Sequence, residues 1–203
     1  MSHDGADLAQ SSTPPKRVRN AAATREAILH SAVIAFTRHG YDGVGVREIA
    51  QSAGVTAMLV NRYFGSKEQL FTEAVDTAFA PRTVLSDNPA TLAGDVAARL
   101  VDRTAPESEH LDPFLLMLRS ASNPRAAEIV RAGVERHAGR YLSELLGGPD
   151  ADERAMLAHS VIAGFWLMRK MLGSTALVLA DPVELTHRLE ALLVVALSPS
   201  VEN

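Results

Sequence analysis

Most of the side-chain sets that carry out catalysis are missing from these 203 residues. There are no cysteines, which excludes disulfides, thiolate zinc sites and a cysteine nucleophile. The seven histidines are scattered, and no pair has the HExxH spacing that puts two imidazoles on one helix face. Neither a GxSxG nucleophile turn nor a GxxxxGKS/T phosphate loop occurs. The carboxylates fall mostly on expected helix faces and caps. No catalysis, cofactor or metal is therefore expected. What remains is cationic chemistry in the stretch Val46 to Leu70, VREIAQSAGVTAMLVNRYFGSKEQL. Lys67 stands there at an expected helix start, where its ammonium and the exposed amides can together grip a phosphate.

The elements that hold these cations are legible from periodicity. Val46, Ile49, Ala50 and Ala53 recur at i, i+3, i+4 and i+7, one apolar face of a helix. Gly54 ends that helix, because a left-handed terminal residue is adopted cheaply only by glycine. Thr56 is the expected N-cap of a second helix with Val60, Tyr63 and Phe64 inward. Ala50 is small enough for the two helices to cross steeply. A small residue, a glycine four later and an apolar residue six after that make the helix-turn-helix pattern. Ser66-Lys67-Glu68-Gln69 then reads as a capping box opening a further helix.

This stretch resembles, in register, the TVREIAxxAGVSxGTLYxYFxSKExL pattern of the tetracycline-repressor (TetR-like) family of transcription regulators. The preceding TREAILHSAVIAFTRHGYDGV is similar to that family's first helix and its Gly-Tyr turn. The likeness covers Thr24 to about Phe71. It implies DNA contacts by Thr24, Arg47, Thr56, Ala57, Leu59, Asn61, Arg62, Tyr63 and Lys67, with Arg47 as a base-contacting arginine. Three positions depart from the pattern: Gly45 replaces a Thr or Ser cap, Met58 a small residue and Asn61 a tyrosine. Met58 and Asn61 lie on the expected reading helix and bear on which operator is read.

Composition agrees with such a head. The net charge of −4 hides an asymmetry. Residues 16–71 hold eight Lys/Arg against four Asp/Glu, whereas residues 72–203 hold twelve against eighteen. A basic head on an acidic body suits a polyanion partner. Residues 1–22 read as a flexible basic tail, with SSTPP in its middle and Lys16, Arg17 and Arg19 before the first helix, which is expected from Thr24 to His39. The N-terminus lacks the apolar run of a signal peptide, and Val161 to Ala180 is broken by Arg169, Lys170 and Gly173. No membrane span and a cytoplasmic location are expected.

The expected fold is all-α with about nine helices: a tail, a helix-turn-helix DNA-binding domain over residues 23–71, and a helical ligand-binding and dimerisation domain over 72–203. Body helices are expected to open at Asn88-Pro89, Asp112-Pro113, Asn123-Pro124 and Asp181-Pro182, with one more over about 151–172. That last helix carries Leu157, Val161, Gly164, Met168 and Leu172 on one stripe and is apolar nearly all round, so a second buried face, and hence a partner subunit, is expected. The family likeness implies a homodimer through the last two helices, and Ile162, Phe165, Trp166, Leu189 and Leu192 are the candidate seam. It also implies a small-molecule effector site, for which Phe114, Met117, Tyr141, Trp166 and Met168 are candidates, with Arg119, His137 or Arg169 as polar contacts. The partners expected are thus a double-stranded DNA operator, an effector and a second copy. The competing reading is a helical interaction or ligand-binding module without operator binding; the basic head and Lys67 argue against it.

Overall fold

The computed structural model describes residues 16–80, 84–108 and 113–199. Among these the chain is helical, with no strand. Its helices are α1 (Lys16–His39), α2 (Val46–Ser52), α3 (Ala57–Phe64), α4 (Lys67–Phe79), α5 (Leu92–Arg103), α6 (Pro113–Ser120), α7 (Pro124–Val134), α8 (Arg140–Leu146), α9 (Ala151–Trp166), α10 (Thr175–Val178) and α11 (Pro182–Leu197). Two π-helical turns, Glu135–Gly139 and Leu167–Met171, continue α7 into α8 and extend α9. No helix among the described residues is long and apolar enough to cross a membrane.

Several element ends differ from expectation for local reasons. The first helix starts at Lys16 and not at Thr24, so residues 16–22 are helical; Ala21, Ala22 and Ala23 favour continuation and nothing in KRVRNAAAT breaks it. Residues 1–15 of the expected tail lie outside the described residues. The inward line of α1 is Ile28, Ala32 and Phe36, all fully buried, with Leu29 and Val33 packed beside it. Asn88-Pro89 makes a turn and not a helix start: Asn88 Oδ1 accepts from Ala90 N at 3.1 Å, and the helix begins after Thr91. Asp112, the expected cap of α6, lies outside the described residues. Asn123 and Asp181 do cap α7 and α11 through side-chain oxygens, with proline at the first helical position. The short helix α10 lies between the expected helix over about 151–172 and the one opening at Asp181-Pro182.

The buried apolar residues form two clusters. The first contains the interior of α1 to α4 and continues without a break into Leu116 of α6 and Ala126, Ile129, Val130 and Val134 of α7. The second joins Phe114 and residues of α5, α8, α9 and α11. The boundary expected at residues 71–72 therefore does not coincide with a gap between cores. Where α4 passes α7 there is no side chain at Gly133, and a Cβ there would overlap Val75 Cγ1. The helices approach so closely because one of them carries glycine at the crossing.

Polar contacts close the same junction. Gly40 ends α1 with φ of 71°, and a Cβ there would overlap the Arg119 carbonyl. Arg119 donates to the Thr37 carbonyl at 3.0 Å and to that of Arg38, supplying partners for the end of α1. Tyr41 N donates to Ser120 Oγ at 3.1 Å, and Asn123 Nδ2 to Asp42 at 3.0 Å. Arg125 pairs with Glu68 at 2.6 Å. Near the other end of α4, Asp76 accepts from Arg136 and is 2.9 Å from His137 Nε2.

Candidate nucleic-acid interface

The first four helices set out a single outward face. On α2, Ile49 and Ala50 are buried and Val46 and Ala53 half-buried. Gly45 has no side chain to cap the helix, and the cap is supplied from inside: Gly45 N donates to Glu48 Oε2 at 2.7 Å. The chain turns at Gly54, whose φ is 68°, and Val55 N bonds the Ala50 carbonyl at 2.9 Å to close the helix end. Thr56 occupies the N-cap of α3 in extended conformation, but its side chain makes no capping bond. Val60 and Phe64 face the core.

At about 100° per residue, Met58 and Arg62 then point directly away from Val60, with Leu59 and Asn61 to either side. Exposure follows that wheel. Met58, Asn61 and Arg62 are exposed, and Ala57, Leu59 and Tyr63 are half-buried. Arg47 is exposed on α2. Among the described residues neither Arg47 nor Arg62 has an ion-pair partner; of the nearby acids Glu68 is paired with Arg125, while Glu48 accepts from the neutral Gly45 amide and keeps its charge. Two unpaired arginines and Lys67 against the single carboxylate of Glu48 leave this face with a net positive charge.

Lys67 is the first residue of α4. Ser66 caps that helix, its Oγ accepting from Gln69 N at 3.1 Å, while Ser66 N bonds the Phe64 carbonyl at 3.0 Å instead of the Gln69 side chain. The Lys67 ammonium lies 4.6 Å from the centroid of the Tyr41 ring. Tyr41 is itself fixed edge-on against Phe71 at 4.9 Å, and burial pushes its phenol pKa up. The Gly-Tyr turn therefore positions the cation at the end of α4. Thr24 sits in the third turn of α1. Its neighbour Arg25 stacks at 4.7 Å over Phe64 and pairs with Glu73, so this turn lies beside the end of α3.

The effector candidates do not converge. Phe114, Met117 and Trp166 do share a small apolar cavity of about 150 Å³ between α6 and α9. Arg119 instead caps α1, and His137 faces Asp76 on α4. The Tyr141 hydroxyl is held by the Ser86 carbonyl at 2.9 Å and Asp87 Oδ1 at 2.6 Å. Arg169 is buried, bonding Thr104 Oγ1 at 3.0 Å and the carbonyls of Val101 and Leu177. It serves the C-terminal end of α5, where a cation is favoured by the helix dipole. Met168 is 44% exposed in the π turn that extends α9. The π turns swing His137 and Arg169 onto neighbouring helices, and a plain 3.6-residue wheel could not foresee that.

A group the sequence reading passed over lies beside that cavity. His159 and Trp166, seven residues apart on α9, flank Phe114 with ring centroids 5.6 Å away in each case. The buried His159 Nε2 and Trp166 Nε1 have no hydrogen-bond partner, and burial pushes the His159 pKa down, so its imidazole is neutral at neutral pH. An apolar groove of about 290 Å³, lined by Met117, Val130, Val134, His159 and Ala163 among others, runs alongside. The seven-residue spacing to Trp166 was the available signal.

Of the seam candidates, Ile162, Trp166 and Leu189 are at most 3% exposed inside the subunit's own second core, and Phe165 is half-buried. Leu192 is 59% exposed. The exposed apolar stripe is the neighbouring one: Leu157 on α9, Met168 in the π turn that extends it and Leu172 just after, with Leu192 and Val195 on α11. Leu157 and Val195 line one surface groove. Ile162, Trp166 and Leu189 are large apolar side chains that the chain needs for its own interior.

The comparisons agree with this geometry. Residues 28–74 match the family model described as bacterial regulatory proteins, tetR family, and residues 90–197 match the tetracyclin repressor-like C-terminal domain. The chain is 31% identical over 153 residues to the HTH-type transcriptional regulatory protein RaaS of Mycobacterium tuberculosis, covering 72% of this chain and 71% of that protein. A transcriptional regulator from Rhodococcus sp. Rha1 superposes with a TM-score of 0.58 at 27% identity, covering 85% of this chain and 95% of that one. NalD, the secondary repressor of the MexAB-OprM multidrug efflux pump in Pseudomonas aeruginosa, shares the fold with a TM-score of 0.59 at 21% identity, over 87% and 97% of the two chains. A helix-turn-helix head on a matching C-terminal domain, together with a relative of this coverage, establishes that the chain belongs to the TetR family of transcriptional regulators.

Proposed function

We propose that this chain is a one-component repressor, not an enzyme, that binds a roughly palindromic DNA operator as a homodimer and is released by a small-molecule effector. The observation that carries the operator reading is the outward face of α3 with Arg47, Arg62 and Lys67 around it, neither arginine having an ion-pair partner among the described residues. In this reading α3 enters the major groove, and Arg47, Thr56, Ala57, Leu59, Asn61, Arg62 and Tyr63 are its candidate contacts, with Thr24 and Lys67 toward the backbone. A phosphate contact carries no base information. Lys67→Ala is therefore predicted to weaken binding to all sequences alike and to lower the slope of log K against log salt by about one. Filter or anisotropy titrations at several salt concentrations check this. An unchanged slope removes Lys67 from the contacts, and no salt-dependent retention on DNA by the wild type favours the interaction-module reading.

Two reading helices on one operator must lie about 34–36 Å apart, which requires a fixed dimer. The exposed stripe of Leu157, Met168, Leu172, Leu192 and Val195 is the apolar surface that supports such a dimer. A charge buried there without a partner is costly, while each of these side chains is exposed in the single subunit and dispensable for its core. Leu157→Arg and Val195→Arg are predicted to give folded, helical monomers with reduced operator affinity. Sedimentation equilibrium checks this, and a wild-type monomer at micromolar concentration contradicts the dimer.

The effector reading is supported by the apolar groove between α6, α7 and α9, with neutral His159 beside it. By linkage, an effector that weakens operator binding must bind the operator complex more weakly by the same factor, about 5–150-fold for typical couplings. Calorimetric titration of a groove ligand with and without saturating operator tests this. Equal affinities mean that the ligand does not gate DNA binding.

A further inference from the structure

We propose that Met58 reads a thymine methyl group in each operator half-site; this rests on the operator-binding reading above. Met58 is 79% exposed, and it is the one large apolar side chain left exposed in the described part of the head, where Ile28, Phe36, Ile49, Val60, Phe64, Leu70 and Phe71 are all buried. It points directly opposite Val60, at the centre of the outward face of α3, with Arg62 on the same line and Asn61 one turn along. A thioether on an unbranched chain has no donor for a phosphate oxygen, so Met58 cannot add to backbone binding. Covered by DNA, it needs an apolar surface.

The edges of the bases in the major groove are hydrogen-bonding groups almost everywhere, and the thymine C5-methyl is the apolar exception. A flexible methionine can seat against that methyl without a fixed approach angle. Asn61, about 4.5 Å further along the helix axis, stands about one base-pair rise away, and its amide suits an adjacent adenine. Met58 thus supplies base discrimination where Arg47, Arg62 and Lys67 supply charge.

The test uses the full-length chain and the duplex it enriches from random DNA. Thymines in that duplex are replaced singly by deoxyuridine, which keeps the pairing edge and O4 and lacks only the C5-methyl. One position in each half-site is expected to lose about fourfold in wild-type affinity per replaced methyl. Met58→Ala is expected to bind the thymine and uracil duplexes equally at that position. Its salt slope and its affinity for unrelated DNA should match the wild type, which also shows that the variant is folded. Met58→Leu, apolar and of similar size, is expected to keep the discrimination. If no uracil replacement weakens wild-type binding, or if Met58→Ala retains the discrimination, the assignment is overturned while the operator reading stands. If the chain enriches no sequence, the operator reading falls and this one with it.

Discussion

The close passage of α4 over α7, with Val75 lying where a side chain on Gly133 would be, is the contact on which the rest of the structure depends. α4 begins with Lys67, capped by Ser66, beside the outward face of the head and ends with Phe79 buried. Leu70, Phe71, Ala74 and Val75 are buried in the same cluster as the interior of α1 to α3 and residues of α6 and α7. Close-packed interiors transmit displacement because they have no slack to absorb it. The angle of α3 is therefore set by the body as well as by the turn at Gly54.

The polar contacts point the same way. Both ends of the α1–α4 unit are tied to the body: Arg119, Ser120 and Asn123 at the Gly-Tyr turn, and Arg136 and His137 at Asp76. Of these contacts only Arg136–Asp76 pairs two permanently charged groups, and a partly exposed pair of that kind contributes little to stability, about 0–1 kcal/mol. The value of these contacts is directional, since each fixes which carbonyl or carboxylate faces which helix. The groove beside His159 is walled by α6, α7 and α9, so two of its three walls also hold the head. In the proposed reading, a ligand that parts those walls would act directly on helices packed against the head.

The sequence made the head legible and the body only partly so. Gly54, Ala50 and the Val60/Phe64 pair each have one physical role, and each is where the periodicity placed it. The caps at Asn123 and Asp181 followed from the same local rules. What the periodicity could not give was the rotation of a helix whose every side is apolar. Residues 162, 166 and 189 were read as seam and are interior, while residues 157 and 195 are exposed. Arg119 and Arg169, expected as polar contacts of an effector, each serve the carbonyl end of another helix, a partnership set by tertiary packing. The two π turns made this harder by shifting the register inside what read as single helices.

The central claim is that head and body share one core, so that DNA on the head is felt in helices that do not touch it. Amide hydrogen exchange of the full-length chain with and without its selected operator measures this directly. The account predicts slowed exchange in α1 to α4 and also in α6 and α7, over residues 113–134. Slowing confined to α2, α3 and the first turn of α4, with α6 and α7 unchanged, would contradict it.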